Sequence, residues 1–444
     1  MAKRVVVTGL GVVAPNGVGV SEFTRALRAG KSGIRHDPER VRLGFGCEVS
    51  GIPQLEAGLA ETQFSVAQLK AMNEVMLYAG LASLECWADA RLTISDPASG
   101  NADYSTGAIF GTGIGGVDTI AARLIPFTDA AQIRRLGGTV PEQVMCSAVS
   151  AFLGGILGLG GHVSTNSSAC CTGTEAVILG AREVASGRAE RMLVGGSEAS
   201  SLYISAGFDA MRVLSRNFNS TPAAASRPLS ASAAGFVPGA GAGAIMLESL
   251  ESALGRGARI YAEILGGEIN CGGQRNGGTT TASSATGVVR CITQALRDAD
   301  VAPEEVDYVN GHLTATGADP IEIANLSTAL QRSSSDFPLV NATKSMIGHA
   351  LGASGALECV ATVVQIAENF LHPSINCEDL HPRILPIAAS VITQTISKQI
   401  GVALKTSFGF GDVNACLVLS NYSQDERINE RCRIGTKSAN ASLN

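Results

Sequence analysis

The chain has 444 residues, of which 45% are hydrophobic and 16% charged, and its formal net charge is −6. This length allows one large core or two fused cores of about 200 residues each. The negative charge argues against nucleic acid as the main partner. The sequence also lacks an uninterrupted run of about 18 apolar residues, the length that would predict a membrane span.

The cysteines indicate a reducing environment. There are 11 of them, scattered without a Cys-x-x-Cys pair, and only six histidines. A disulfide framework is typical of short secreted chains, and a zinc site needs grouped Cys and His. We therefore expect free thiols, a cytoplasmic location and no metal. The N-terminal apolar run is broken by Thr8, Gly9 and Gly11, so we interpret it as a buried strand rather than a signal peptide.

In the first half of the chain, apolar runs alternate with helical patterns. Four continuous apolar runs are predicted strands of a sheet that is covered on both faces. They are residues 4–13, 107–113, 191–199 and 241–249. Helical spacing covers residues 64–90 and 172–187, and the second segment ends at a glycine suited to a helix C-cap.

The second half repeats this arrangement of strands and helices. Its predicted strands are residues 259–268, 306–313, 337–343, 401–410 and 414–421, and its predicted helices are residues 286–301 and 352–370. The repetition predicts an α/β fold with two similar five-stranded halves, residues 1–252 and 253–424. Residues 425–444 are polar and are predicted to form a disordered tail.

Two glycine-rich segments, residues 9–14 and 111–116, match the motif that binds dinucleotide pyrophosphates. That motif must open a helix and be followed by an acid about 20 residues later. Pro15 lies where the first helix should run, and Asp118 follows the second match too closely. Tight turns and close packing explain both segments better, which leaves a dinucleotide-binding oxidoreductase as the distant alternative.

Cys170 lies between a strand that ends in small residues and a predicted helix. A thiol at a helix N-terminus meets the positive end of the macrodipole and unpaired N–H groups. Both effects favour the thiolate, so we expect a lowered pKa for this cysteine. The same N–H groups can stabilise a thioester oxyanion. Packing in the core is the alternative for any single cysteine, including the adjacent Cys171.

Two histidines follow predicted strands, in loops rich in Gly, Ser and Thr. His312 precedes Thr314 and Thr316, which would share one face if the chain stays extended. His349 shares its segment with Lys344. Strand ends at one edge of an α/β sheet are where functional residues gather, so both histidines are candidate site residues.

Four motifs follow one another along the chain: "SSACCTG" around Cys170, "HLTAT" from His312, "KSMIGH" ending at His349, and the closing loop "SFGFGDVN". With the opening strand "VVVTGLGVVAPNG", they cover residues 3 to about 422. The chain thereby resembles the elongating β-ketoacyl-acyl carrier protein synthases of type II fatty acid and polyketide synthesis. The resemblance implies a thiolase-like fold, in which two similar halves form five layers in the order α-β-α-β-α.

The resemblance implies a decarboxylating Claisen condensation. Cys170 would take an acyl group from a carrier-protein thioester. His312 and His349 would donate hydrogen bonds to a malonyl thioester as it loses CO₂, and the enolate would attack the acyl group. The oxyanion would face the backbone N–H groups of Cys170 and Phe410. The family needs no metal or redox cofactor, because the substrates arrive on the phosphopantetheine arm of acyl carrier protein.

The resemblance also implies supporting residues and partners. The supporting residues are Lys344 and Glu358 as a charge pair, Thr314 and Thr316 on the phosphopantetheine arm, Phe408 and Phe410 in a gating loop, and Ile114 in the acyl pocket. Because the carrier protein of this family is acidic, a basic entrance is expected, with Lys70, Arg134 and Arg135 as candidates. The chain would form a homodimer through the strand near residues 164–168, or a heterodimer with a chain-length-factor-like subunit.

The chain departs from the family pattern around the entrance to the site. Leu313 follows the first histidine where the family has glycine, and Asp412 and Val413 replace residues that are usually Gly and Thr. Ala240 stands where the family often has an acid, and residues 266–283 lack the acid expected near their middle. These changes predict altered gating and a branch that makes a specialised metabolite.

Two alternatives within the same fold remain. Thiolases act on coenzyme A esters without decarboxylation and typically use a second cysteine, whereas Cys416 lies inside a predicted strand here. Some relatives are chain-length partners that have lost the nucleophile. Cys170 argues against that role, but it is compatible with a heterodimer in which this chain is the active subunit.

Overall fold

The first half contributes five strands to the main sheet, counted over residues 2–422, which the computed structural model describes. They are β1 (Val5–Ala14), β2 (Thr106–Gly111), β3 (Val163–Ser164), β4 (Arg191–Glu198) and β5 (Gly241–Ser249). Their order in the sheet is β3-β2-β4-β5-β1. The predicted tail, residues 425–444, lies outside the described residues.

The second half contributes five more strands within the same described range. They are β6 (Ala262–Cys271), β7 (Tyr308–Asn310), β8 (Leu339–Asn341), β9 (Val402–Gly409) and β10 (Val413–Ser420). Their order, β8-β7-β9-β10-β6, repeats that of the first half, with parallel and antiparallel pairs in the same places. The predicted similarity of the two halves is therefore confirmed. An antiparallel contact between β1 and β6, with Val5 opposite Ile264, joins them into one continuous sheet.

Short pairings complete the strands of residues 2–422. They are Gly17–Val18 on β1, Arg35–His36 with Val49–Ser50, and Phe370–Leu371 with Ile396–Ser397. The longer helices are α1 (Val20–Arg28), α2 (Val66–Ala71), α3 (Glu74–Asp89), α4 (Ala148–Leu157), α5 (Thr172–Ala185), α6 (Leu202–Ala210), α7 (Ala285–Asp298), α8 (Asp319–Leu330) and α9 (Ser354–Ala367). The shorter helices are Pro38–Arg42, Leu59–Gln63, Val117–Thr119, Ile120–Leu124, Ile125–Asp129, Val140–Val144, Leu250–Gly255 and Lys344–Ile347.

The helices form three layers around the sheets of the two halves. Helices α3 and α4 cover the outer face of the first half, and α7 and α8 cover the outer face of the second. Helices α5 and α9 pack against each other between the halves. Every residue of α9 from Ser354 to Ile366 is buried, as expected for a helix that is enclosed on all sides. The predicted five-layered arrangement is confirmed.

Two predicted elements differ from the structure for local reasons. The single helix expected at residues 64–90 is interrupted, because Met72 is extended and Asn73 caps α3 by accepting the N–H of Met76 at 3.1 Å. The strand expected at residues 306–313 ends at Asn310. The residues after it form a loop whose backbone N–H groups bond to side chains of α8.

The two glycine-rich segments have structural roles. A side chain at Gly11 would lie 1.9 Å from the Ala82 carbonyl oxygen, so this glycine lets α3 pack closely on β1. In the second segment, the Glu198 carboxylate accepts the N–H of Gly113 at 2.9 Å and that of Gly352 at 3.0 Å. The loop thus binds an internal carboxylate where a dinucleotide site would hold a phosphate. Within residues 2–422, the helices are too short or too polar for one to cross a membrane.

Candidate active site

Cys170 lies in a tight turn, Ala169–Cys171, between β3 and the start of α5. Ala169 adopts a left-handed conformation with φ 50°, which turns the chain sharply just before Cys170. Thr172 stabilises this turn, since its hydroxyl accepts the N–H of Ser168 at 2.8 Å and donates to the Ala169 carbonyl at 2.7 Å. The predicted strand-bend-helix arrangement is present, with the cysteine two residues before the helix.

The electrostatics of Cys170 contradict the expected lowered pKa. Burial raises the pKa of this thiol to about 11, although the Lys344 charge and the backbone N–H groups of Phe410 and of Cys170 itself lower it. Removal from water opposes the charged thiolate more strongly than these groups favour it. Cys170 is therefore a thiol at neutral pH. Both N–H groups therefore act on the sulfur without offsetting its burial.

Both histidines of the predicted site face Cys170. The Nε2 atom of His349 lies 3.1 Å from the Cys170 sulfur, and the rings of His312 and His349 stand perpendicular with centroids 5.4 Å apart. The Leu351 N–H donates to His349 Nδ1 at 3.2 Å, and Lys344 Nζ lies 3.3 Å from His312 Nδ1. These donors leave the imidazole proton on Nε2 of each ring. Burial lowers the pKa of both histidines well below its usual value, so both are neutral donors.

This tautomer also decides what the three groups can bind. One sulfur or ring-nitrogen atom from each of Cys170, His312 and His349 lies within 4.8 Å of the other two. This grouping resembles a set of metal ligands. A metal would need Nε2 unprotonated and the proton on Nδ1. Nδ1 of His349 already accepts a backbone N–H, and the Lys344 amine lies beside the other ring. The site is therefore built to donate hydrogen bonds to an anionic oxygen rather than to coordinate a cation.

A buried charge cluster supports the histidines from behind. Lys344 Nζ forms an ion pair with Glu358 and donates to the His312 carbonyl at 2.8 Å. Lys405 on β9, which the sequence analysis missed, lies 2.8 Å from the second oxygen of Glu358. Two lysines thus share one carboxylate, and their charges add to burial in lowering the pKa of both histidines. A lysine inside an apolar strand was the available signal, because a fully buried lysine requires a counter-charge.

Two acids of α8, also missed, hold the loop that follows His312. Glu322 accepts the N–H of His312 at 2.7 Å and that of Leu313 at 2.8 Å, and Asp319 accepts the N–H of Thr314 at 2.8 Å. Burial raises the pKa of Glu322 to about 7 and that of Asp319 to about 6. The spacing "DPIE" on one helix face was the signal for these acids.

The hydroxyls of Thr314 and Thr316 lie side by side, with their Oγ1 atoms 3.0 Å apart. The chain does not stay extended here, because Ala315 is left-handed with φ 62° and folds the loop. The two threonines nevertheless share one face, which a turn produces instead of a strand.

The aromatic residues of the closing loop extend from the histidines towards a narrow cavity. The ring of Phe408 lies 6.1 Å from that of His312, and the ring of Phe410 lies 5.8 Å from that of Phe208. The cavity beside His349 is lined by apolar side chains of several loops and of α6. They include Ile114, Ile204, Phe208, Phe236 and Leu351. The predicted pocket residue Ile114 therefore does lie beside the site, whereas Phe208 and Phe236 were not anticipated.

The remaining candidates lie away from the site. The proposed carrier contacts are exposed side chains of the first half: Lys70, Arg134 and Arg135. Arg135 stacks on Phe127, and within residues 2–422 none of the three contacts Cys170, His312 or His349. Cys171 is buried, and its sulfur faces the carbonyls of Ser407 and Val413 at 3.2 and 3.3 Å. Cys416 is fully buried in β10. Both of these cysteines therefore pack in the core.

A buried cysteine from one half, facing two neutral histidines from a second and similar half, defines a condensing enzyme of the thiolase fold. Residues 2–253 match the profile of the β-ketoacyl synthase N-terminal domain, and residues 261–378 match that of the C-terminal domain. The chain belongs to the β-ketoacyl synthase family.

Relatives and solved structures agree with this assignment over most of their length. The chloroplastic 3-oxoacyl-[acyl-carrier-protein] synthase I of Arabidopsis thaliana is 35% identical over 95% of this chain and 87% of its own. The ishigamide ketosynthase/chain length factor superposes with a TM-score of 0.85 at 30% identity, covering 95% of this chain and 100% of its own. A type II PKS acyl-carrier protein in complex with its ketosynthase bound to the hexaketide gives a TM-score of 0.83 at the same identity and coverage.

Proposed function

We propose that this chain is an acyltransferase that joins an acyl group, held on Cys170, to a malonyl group on acyl carrier protein. The product is a β-ketoacyl chain on the carrier, two carbons longer. The observation that carries the proposal is the approach of His349 Nε2 to the Cys170 sulfur at 3.1 Å, with His312 beside it as a second neutral donor. This group offers one nucleophile and two proton-bearing nitrogens to the same small volume.

In the first step, the Cys170 sulfur attacks the carbonyl carbon of the incoming acyl thioester. A new C–S bond forms to Cys170, the old C–S bond breaks, and the thiol proton ends on the released pantetheine thiol. The negative charge on the carbonyl oxygen is met by the N–H groups of Cys170 and Phe410, both of which favour the charged form of the Cys170 sulfur. A raised thiol pKa keeps the proton available for the leaving group.

In the second step, the malonyl thioester loses CO₂ and its C–C bonding electrons pass to an enolate. The Nε2–H groups of His312 and His349 donate to the enolate oxygen. Because Lys344 and Lys405 share a single carboxylate, the field behind the histidines favours this negative charge. The enolate carbon then attacks the acyl carbonyl, Cys170 leaves as a thiolate, and the thiolate takes a proton from water.

Substrate delivery and assembly belong to the same proposal. We assign Thr314 and Thr316 to the phosphopantetheine arm, because their paired hydroxyls stand next to His312 in the chain. Lys70, Arg134 and Arg135 are the proposed contacts of an acidic carrier protein. The chain is proposed to act as a dimer, either with itself or with a chain-length-factor-like partner. The absence of a cofactor and the cytoplasmic location stay predictions.

The thiolase alternative is less well supported by the geometry. It needs a second cysteine as base, and among residues 2–422 the sulfurs of Cys171 and Cys416 are buried away from the Cys170–His312–His349 group. The two histidine donors instead suit an enolate formed by decarboxylation.

The test is intact-protein mass spectrometry after incubation with hexanoyl-acyl carrier protein. Wild type and Cys171→Ala should gain the mass of the acyl group, and Cys170→Ala should not. Addition of malonyl-acyl carrier protein should then discharge the acyl enzyme and yield β-ketooctanoyl carrier. Acylation of the Cys170→Ala variant, or an acyl enzyme that malonyl-acyl carrier protein does not discharge, would contradict the proposal.

A further inference from the structure

The hairpin turn between β9 and β10 contains a buried acid. Asp412 is fully buried and left-handed, with φ 65°. Its Oδ1 atom accepts the N–H of Ser284 at 2.7 Å, and its Oδ2 atom accepts the N–H of Gln274 at 2.9 Å. Glycine adopts this backbone conformation without strain, so the presence of an acid is explained by its contacts and not by the turn.

The loop of residues 272–284 is shaped around this carboxylate. A side chain at Gly272 would lie 2.3 Å from an Asp412 carboxylate oxygen, and one at Gly278 would lie 2.4 Å from it. No ion pair to Asp412 is found within residues 2–422, so its carboxylate is held by backbone N–H groups. Hydrogen bonds from neutral donors to a buried carboxylate are short and strong, which makes this contact a rigid link between two loops.

The backbone of the turn adds two further links to the same loop. Gly272 N–H donates to the Asp412 carbonyl at 2.9 Å, and Gly411 N–H donates to the Thr280 carbonyl at 2.7 Å. The other side of the turn touches the nucleophile, since a side chain at Gly409 would lie 3.2 Å from the Cys170 nitrogen. Phe410 lies between these two contacts, and its backbone N–H lowers the pKa of the Cys170 thiol against the larger effect of burial.

We infer that Asp412 is a positioning residue, whose carboxylate fixes the turn of residues 410–412 so that the Phe410 N–H stays aimed at the reacting carbonyl oxygen. This inference rests on the proposed function. Asp412 touches no reacting atom and acts through the turn. Loss of an oxyanion donor lowers kcat about 10²- to 10³-fold, and a donor that is displaced but not removed should cost less than this.

The test compares two partial reactions in Asp412→Gly, which keeps the turn unstrained but removes the carboxylate. Acylation of Cys170 by hexanoyl-N-acetylcysteamine, followed by intact mass, should slow about 10- to 100-fold. Decarboxylation of malonyl-N-acetylcysteamine, which uses His312 and His349, should change less than about threefold, because the histidine donors do not depend on the turn. The Asp412→Asn variant keeps one acceptor oxygen, so its rate of Cys170 acylation should lie between those of wild type and the glycine variant.

The matched control is Asp300→Gly, an exposed left-handed aspartate with φ 51° at the end of α7, which should alter neither reaction. Unchanged acylation in Asp412→Gly would overturn the inference, as would an equal loss of both reactions. Alkylation of Cys170 by iodoacetamide separates this inference from the proposed function, since it needs no thioester substrate. Displacement of the Phe410 N–H should slow alkylation in Asp412→Gly at pH 8 even if wild type performs no condensation, and an unchanged rate would count against the inference.

Discussion

At Cys170, burial and hydrogen bonding act on the thiol in opposite directions. Sequence reasoning placed the cysteine at a helix entry and predicted a lowered pKa, whereas burial raises the pKa to about 11 despite two N–H groups and the Lys344 charge. A cysteine of this kind is protected from unwanted oxidation and alkylation, because the thiol reacts much more slowly than the thiolate. Under the proposed function, reactivity then depends on a substrate whose carbonyl oxygen accepts hydrogen bonds from these N–H groups.

The raised pKa predicts how the free enzyme reacts with iodoacetamide. Below a pKa of about 11, the thiolate fraction, and hence the alkylation rate of Cys170, should rise about tenfold for each pH unit. Peptide mass spectrometry between pH 7 and 9.5 measures this slope, with the exposed Cys146 as an internal control for reagent quality. A rate that levels off below pH 9 would contradict the burial effect.

The residues that sequence reasoning found and those it missed differ in one respect. Cys170, His312 and His349 each carry a local signal, a reactive side chain in a loop of small residues after a strand. Lys405 and Glu322 gain their roles from contacts outside their own motifs, with Glu358 and with the backbone of His312. A linear pattern does not contain those contacts, so they needed the fold.

At the scale of elements, period and composition predicted where the long strands lie, because a buried strand reads as a continuous apolar run. The predicted ends of a helix and of a strand were wrong where a single side chain bonds to the backbone. Asn73 satisfies the first turn of α3 and so divides one apolar helical pattern into two helices. The strand before His312 ends early because Glu322 binds the backbone that would have continued the ladder.

The loop of residues 111–116 should depend on the carboxylate that it encloses. Glu198→Ala leaves the N–H groups of Gly113 and Gly352 without their partner. Each buried donor left unpaired costs about 1–3 kcal/mol, so the free energy of unfolding should fall by at least about 2 kcal/mol. Glu198→Gln should lose less stability, because its amide oxygen can still accept both N–H groups. Urea unfolding followed by circular dichroism measures both variants, and an alanine variant as stable as wild type would refute this role.

At the scale of the whole molecule, the site exists only because the chain carries two copies of one unit. The turn that carries Cys170 follows β3, the third strand of the first half. The Lys344–His349 segment follows β8, the third strand of the second half. Sequence reasoning anticipated the repetition from the order of elements. It did not anticipate that β1 and β6 pair to make the sheet continuous. That contact joins residues far apart in the sequence, such as Val5 and Ile264, and no local pattern indicates which strands pair. The division at residues 252 and 253 stays a prediction.

The free edge of β3 predicts that the chain forms a dimer. Over residues 2–422 this strand ends the sheet and pairs only with β2, which leaves its outer edge available to a second copy. Sedimentation equilibrium should give twice the mass of one chain. Ala151→Glu, on the exposed face of the adjacent α4, should shift the protein towards the monomer, whereas Ala324→Glu, an equally exposed alanine on α8, should leave the mass unchanged. A wild-type monomer would argue for a different partner.

The loops after β3 and after β8 hold equivalent places in the two halves, which affects how mutations act on the site. In a symmetric pair of separate units, every mutation appears in both copies, so a change that favours covalent chemistry in one loop harms the other. A single fused chain removes that coupling, because each loop is encoded once. One loop could then specialise in holding the acyl group through Cys170 while its counterpart kept the His349 donor. In a single chain, each of the two loops can therefore change its side chains without altering the other, while the β1–β6 pairing holds both in one sheet.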